Sequence, residues 1–198
     1  TSVTLGDRLA VIGDGAFGRC AELPSITLPD TLESVHPYAF RYCNRLTEIS
    51  LPATLRTVGT YAFADCDSLT SITIPEGVKM ICHNAFWNSG LQSITLPSTL
   101  EYLNEYAFAE CHDLAEINLQ DTALTTIGEG CFYNCNSLTS VTIPDGVKDI
   151  SNGAFSGCTS LESVVIPARV VNIRGSAFSG CTNLMSIVIP DSVTHIDN

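Results

Sequence analysis

The sequence predicts a right-handed solenoid of about eight coils, 23 residues per coil, built on parallel β-sheet with short second strands and 3₁₀ or single helical turns at the corners. Three observations point to it. Eight phenylalanines, Phe17, Phe40, Phe63, Phe86, Phe108, Phe132, Phe155 and Phe178, recur at spacings of 23, 23, 23, 22, 24, 23 and 23. Nearly every other apolar position keeps step with them. Proline returns at one phase, as Pro29, Pro52, Pro75, Pro97, Pro144, Pro167 and Pro190.

Each element follows from its residues. In "LTSITIP", Ile72 and Ile74 share one face and Ser71 and Thr73 the other, the period of a strand. Pro75 lacks a ladder donor and ends it. "GVKMI" reads as a second short strand or an extended bend. "NGAFSGC" is too short for a stable α-helix and suits a 3₁₀ turn, with Gly and Asn favouring a tight corner. A Leu follows six residues after most anchors, as at Leu23, Leu46 and Leu69.

One repeat cannot fold alone. Ordering its backbone costs about 1–2 kcal/mol per residue. Each buried apolar side chain returns only about 1.5–3 kcal/mol. Stacking is therefore required, each coil covering its neighbour's apolar side. The whole chain, 1–198, reads as one such array. Neither end has a polar capping coil, so the chain is expected to be an excerpt of a longer array or to associate end to end.

"LTSITIPEGVKMICHNAF" and "AFSGCTSLESVVIP" resemble the BspA-like (Treponema pallidum-type) leucine-rich repeats of bacterial surface proteins, over essentially the whole chain. The resemblance implies a leucine-rich-repeat-type coil and a secreted or cell-surface setting. It also implies a non-catalytic role in adhesion to a host or cell-surface partner, a protein or a glycan. A structural spacer in a larger surface protein and an accessory domain of a secreted enzyme are the alternatives.

Charge narrows the partners. Twenty-one acids against nine bases give a net charge of −12, which repels phosphate backbones and anionic membranes. Nucleic acid is therefore an unpromising partner, and no run of about 18 apolar residues suggests membrane insertion.

No chemistry is signalled. His36, His83, His112 and His195 fall at different phases, and no triad, HExxH or phosphate-loop context appears. His83 and Glu105 are placed one coil apart and read as a surface hydrogen bond. "ADCDS" lacks the Gly and the distal Glu of a calcium loop. Seven of nine cysteines, Cys20, Cys43, Cys66, Cys111, Cys135, Cys158 and Cys181, stand three residues after the anchor Phe. They read as a ladder of buried thiols pointing in parallel, which suits neither disulfides nor zinc. No cofactor, metal or catalytic residue is expected.

Two surfaces are candidates for binding. The first-strand face carries rows of Ser and Thr, in which Glu48, Gln92, Glu116 and Asn118 are the distinctive members. The corner after the Phe displays Arg41, Tyr42, Trp87, Asn88, Tyr133 and Asn134, a composition common at binding hot spots. The length irregularities fall nearby: one residue is missing between Trp87 and Leu91, and one is gained between Gln120 and Leu124.

Overall fold

The computed structural model describes residues 3–198. It is a parallel solenoid of eight coils, with the phenylalanines in one file down its interior. Successive rings lie 5.2–5.6 Å apart and within 5–11° of parallel. The six inner ones are fully buried. Beside them run the leucines, valines and isoleucines of both strands, in one continuous core.

The sheets differ from the sequence reading in one respect. The first strand looked dominant, yet the second strands build the continuous sheet. Nine of them pair in parallel: Val11–Ile12, Ser34–Val35, Thr57–Val58, Met80–Ile81, Tyr102–Leu103, Thr126–Ile127, Asp149–Ile150, Asn172–Ile173 and His195–Ile196. The first strands form three separate ladders. Ser25–Ile26 pairs with Glu48–Ile49. Ser71–Thr73, Ser93–Thr95 and Glu116–Ile117 form the second ladder. Ser140–Thr142 and Ser163–Val165 form the third.

The break after Glu116–Ile117 has a visible cause. The extra residue of this coil makes a short 3₁₀ helix, Leu119–Asp121, where other coils turn at Pro. Ahead of it the Asn118 side chain replaces a backbone rung. Its Oδ1 accepts from Leu96 N–H at 2.8 Å and its Nδ2 donates to Leu96 C=O at 3.1 Å.

The corner also departs from expectation. Among the described residues the only 3₁₀ helix is that insert. The corner is a chain of overlapping turns with two left-handed residues per coil, two before and two after the Phe. Eleven non-glycine residues have positive φ, and all occupy these two columns, including Tyr38, Tyr42, Tyr61 and Tyr106 at 54–62°. Such a conformation costs about 1–2 kcal/mol for an L-residue and prevents a helix from propagating.

The compensation is a backbone ladder. N–H groups at Phe and two residues either side donate to the next coil, as in Tyr38 to Thr60, Phe40 to Ala62 and Tyr42 to Ala64 at 2.8–3.0 Å. The intervening N–H groups donate to carbonyls three residues back, as Ala39 to His36 and Arg41 to Tyr38. The backbone donors of the corner are thus satisfied although it is neither helix nor sheet.

The missing residue is absorbed at Gly90. The shortened path brings Leu91 into the buried leucine file and presses the backbone of Gly90 against the coil before it. A Cβ there would lie 2.0 Å from the Asp67 carbonyl oxygen. In the last coil the inward-phase apolar side chains are open: Ile189 is 37% exposed and Ile196 63%.

Gly90→Ala should lower stability by about 1–3 kcal/mol, because backbone must move to admit the methyl group. Gly13→Ala, which meets nothing within 4 Å, should change it by less than about 0.5 kcal/mol. Denaturant titration of both variants tests this, and equal effects would contradict the close approach. Phe86→Ala should cost about 3–5 kcal/mol at the middle of the ring file.

Candidate functional site

The corner face is organised by the coil spacing of about 4.8 Å. At that distance rings can repeat at one phase by stacking face to face, as the phenylalanines do. The column after the Phe instead alternates large and small over five coils: Arg41, Ala64, Trp87, Ala109, Tyr133. Ala64 and Ala109 are fully buried beneath their larger neighbours, while Arg41 and Trp87 are half-buried and Tyr133 is exposed.

Arg41 and Tyr42 belong to one cluster. The rings of Tyr38 and Tyr61 stack at 5.3 Å. The Arg41 guanidinium lies 4.7 Å from the Tyr61 ring centroid, 4.6 Å from Tyr42 and 5.8 Å from Tyr38. Its Nε donates to Asp65 Oδ2 at 3.1 Å and a terminal nitrogen donates to Tyr42 Oη at 3.1 Å. Asn88 Nδ2 donates to the other Asp65 oxygen at 3.0 Å. Arg19 adds a second guanidinium 5.4 Å from Tyr42. Cation–π contacts and a shielded ion pair hold Arg41 in one place.

Tyr38 and Tyr61 were not singled out from sequence. Their signal was present: aromatics at one phase in consecutive repeats, two residues before the Phe. Farther along, Asn134 Nδ2 donates to both Glu110 oxygens at 3.2 Å, and His112 Nε2 lies 3.4 Å from Glu110.

The Ser/Thr face is separate from this corner. It forms a shallow open trough of about 730 Å³ lined by Ser25, Thr27, Glu48, Ser71, Thr73 and their neighbours. Glu48, Gln92 and Glu116 point outward along it and are exposed. Asn118 is half-buried, and its amide is committed to Leu96. The eight candidates thus divide between two faces. Arg41 and Tyr42 are brought together, whereas Trp87 and Tyr133 stand at successive stations along the corner.

The cysteine file has a structural task. All nine thiols are free. Cys43, Cys66, Cys111, Cys135, Cys158 and Cys181 each place Sγ 3.0–3.2 Å from the carbonyl of the Phe one coil earlier. They donate S–H to it while packing as small apolar groups. At the coil without Cys, buried Ser89 lies 3.3 Å from Cys111 Sγ. Burial is the leading cause that pushes these thiols up, Cys43 and Cys158 to about 12 and Cys111 to about 11. His83 Nδ1 lies 2.7 Å from Glu105 Oε2, the surface pair its phase implied.

A family model described as the BspA-type leucine-rich repeat region matches six copies over residues 1–115 and 79–198. The chain belongs to that family. The BspA-type chain is similar to a leucine-rich cell surface protein of Faecalibacterium prausnitzii, with 30% identity and a TM-score of 0.59 over 90% of this chain and 57% of that one. It is similar to a leucine-rich repeat protein of Bacteroides ovatus, with 27% identity and a TM-score of 0.60 over 98% and 67%. A Treponema pallidum leucine-rich repeat protein is 28% identical with a TM-score of 0.61 over 89% and 72%. The chain therefore spans little more than half of the Faecalibacterium protein. No curated protein sequence matches it.

Among the described residues, no cluster of His, Cys, Asp or Glu could hold a metal ion, and no helix is long and apolar enough to cross a membrane.

At pH 8 a thiol reagent should label Cys20 first and half-buried Cys82 and Cys181 slowly. The six buried cysteines should react only on unfolding, as read by peptide mass spectrometry. Stability should also respond to alkali. Because the folded pKa values are raised, the unfolded chain ionises first, and stability present below about pH 9 falls as pH rises towards 12. Uniform labelling, or a flat unfolding midpoint between pH 8 and about 10.5, would contradict the assignment.

Proposed function

We propose that this chain is a passive binding segment of a bacterial cell-surface protein, which captures a protein or glycan partner through the corner face. The observation that carries the reading is the alternating column Arg41, Trp87, Tyr133, spaced by buried Ala64 and Ala109. Aromatic and arginine side chains dominate binding energy when packing holds them in place, because little rotamer freedom is lost on contact. Tyr42, packed against Arg41, widens this patch, and the Ser/Thr face with Glu48, Gln92 and Glu116 offers polar contacts on a second side. The family and the Faecalibacterium cell surface neighbour support a cell-surface setting.

A spacer role has one observation in its favour. Backbone ladders run through the corner and through the nine-stranded sheet without interruption. That makes a stiff rod, suited to holding another domain away from the wall.

The test is capture by the immobilised chain from mucin and extracellular-matrix proteins, followed by identification of the captured species and measurement of its affinity. Trp87→Ala with Tyr133→Ala should weaken that affinity about tenfold or more without shifting the melting temperature. Unchanged affinity in the double variant, with loss on replacing Glu48 and Gln92, would move the site to the Ser/Thr face. No capture by the intact chain would favour the spacer.

A further inference from the structure

The column two residues before the Phe changes character along the axis. After Gly15 it holds Tyr38, Tyr61, Asn84 and Tyr106, then Gly130, Gly153 and Ser176 follow. Where the tyrosines stop, an open trough of about 650 Å³ begins. Tyr106 and Tyr133 wall one end, 36% and 39% exposed, and Gly153 and Gly175 line the rest. Tyr106 lies flat on Gly130, where any Cβ would meet its ring at 2.3 Å. The trough crosses four coils, about 14 Å at the usual strand spacing. That is the reach of about four residues of extended chain.

Its electrostatics are one-sided. Residues 1–60 carry six acids and five bases; residues 61–198 carry fifteen acids and four bases. The trough lies in the acidic part. Glu129 lines it and accepts from the Tyr106 hydroxyl at 3.2 Å through Oε1. Burial, Glu129, Tyr133 and Glu105 together hold the Tyr106 phenol above its ordinary pKa. Arg174, on the adjoining acidic surface, is already held by Asp149 at 3.2 Å and Asp197 at 3.7 Å.

We infer that this trough is a docking site for a basic stretch of extended polypeptide, with an arginine or lysine head placed against the Tyr106 and Tyr133 rings and countered by Glu129. The inference rests on the binding-module reading and specifies a partner chemistry for it. Exposed ring faces attract cations through their quadrupole, and carboxylates beside them add charge complementarity. The glycine lining allows a peptide backbone to approach closely. An acidic ligand would meet uncompensated repulsion.

The test is amide NMR of the intact chain titrated with a short blocked peptide containing two arginines, and with its counterpart carrying glutamine instead. The arginine peptide should shift the Gly130, Gly153 and Gly175 amides saturably. Its affinity should fall about fivefold or more in Glu129→Gln and in Tyr133→Leu, and fall again as salt is raised. Both substitutions are at exposed side chains, and Glu129→Gln keeps the shape. Equal shifts with the glutamine peptide, shifts only with a neutral oligosaccharide, or no shifts at these glycines would each overturn the inference. If the trough stays silent while Trp87→Ala with Tyr133→Ala still abolishes capture of a natural partner, this inference fails and the corner-face reading stands.

Discussion

The corner ladder is the constraint on which the structure depends. Every second N–H around each Phe is given to the next coil, and the remainder turn back three residues. This locks neighbouring coils at one strand spacing and one rotational phase. The rings then have little choice but to stack in a file. The left-handed residues flanking each Phe are the local cost of aiming those N–H groups along the axis. Burial of the ring and the leucine six residues on offsets that cost.

The same spacing shapes the surface. Side chains at one phase are close enough to touch, so rings stack, as in the Phe file and the Tyr38–Tyr61 pair, or a large group stands beside a small one. Ala64 and Ala109 make room for Arg41, Trp87 and Tyr133, and Gly130 makes room for Tyr106. Long polar residues instead bond across coils, as Asp65 does with Arg41 and Asn88. Rows along the axis are therefore held in place. This suits contact with an extended partner better than enclosure of a small molecule.

Much of the scaffold was legible from one chain because the period is written eight times. The Phe file, the leucine file, the first strand and its Pro stop each follow from residue type at fixed phase. The dominance of the second strands was not legible. They are two residues long, and their continuity depends on how coils settle, not on alternation within a coil. The turn geometry was only partly announced: Gly or Asn holds some of the left-handed positions, as at Asn84 and Gly153, but Tyr, Arg, Asp, Glu or Ser holds the others. The grouping of candidate residues was partly hidden. Arg41 and Tyr42 adjoin in sequence, but Tyr38, Tyr61 and Asp65 join them from positions that only stacking brings together. Asn118 looked like one more surface polar residue until its amide was found standing in for a backbone rung.

By itself the sequence determined that there would be coils, how many residues each would take and which side chains would face inward. Hydrophobic burial at a strict period has one economical solution. Tertiary structure alone decided which ladder runs unbroken, how the one-residue deletion and insertion are absorbed at Gly90 and Asn118, and which surface residues become neighbours. Those outcomes arise from contacts between residues 21–27 positions apart, whose geometry no single repeat contains.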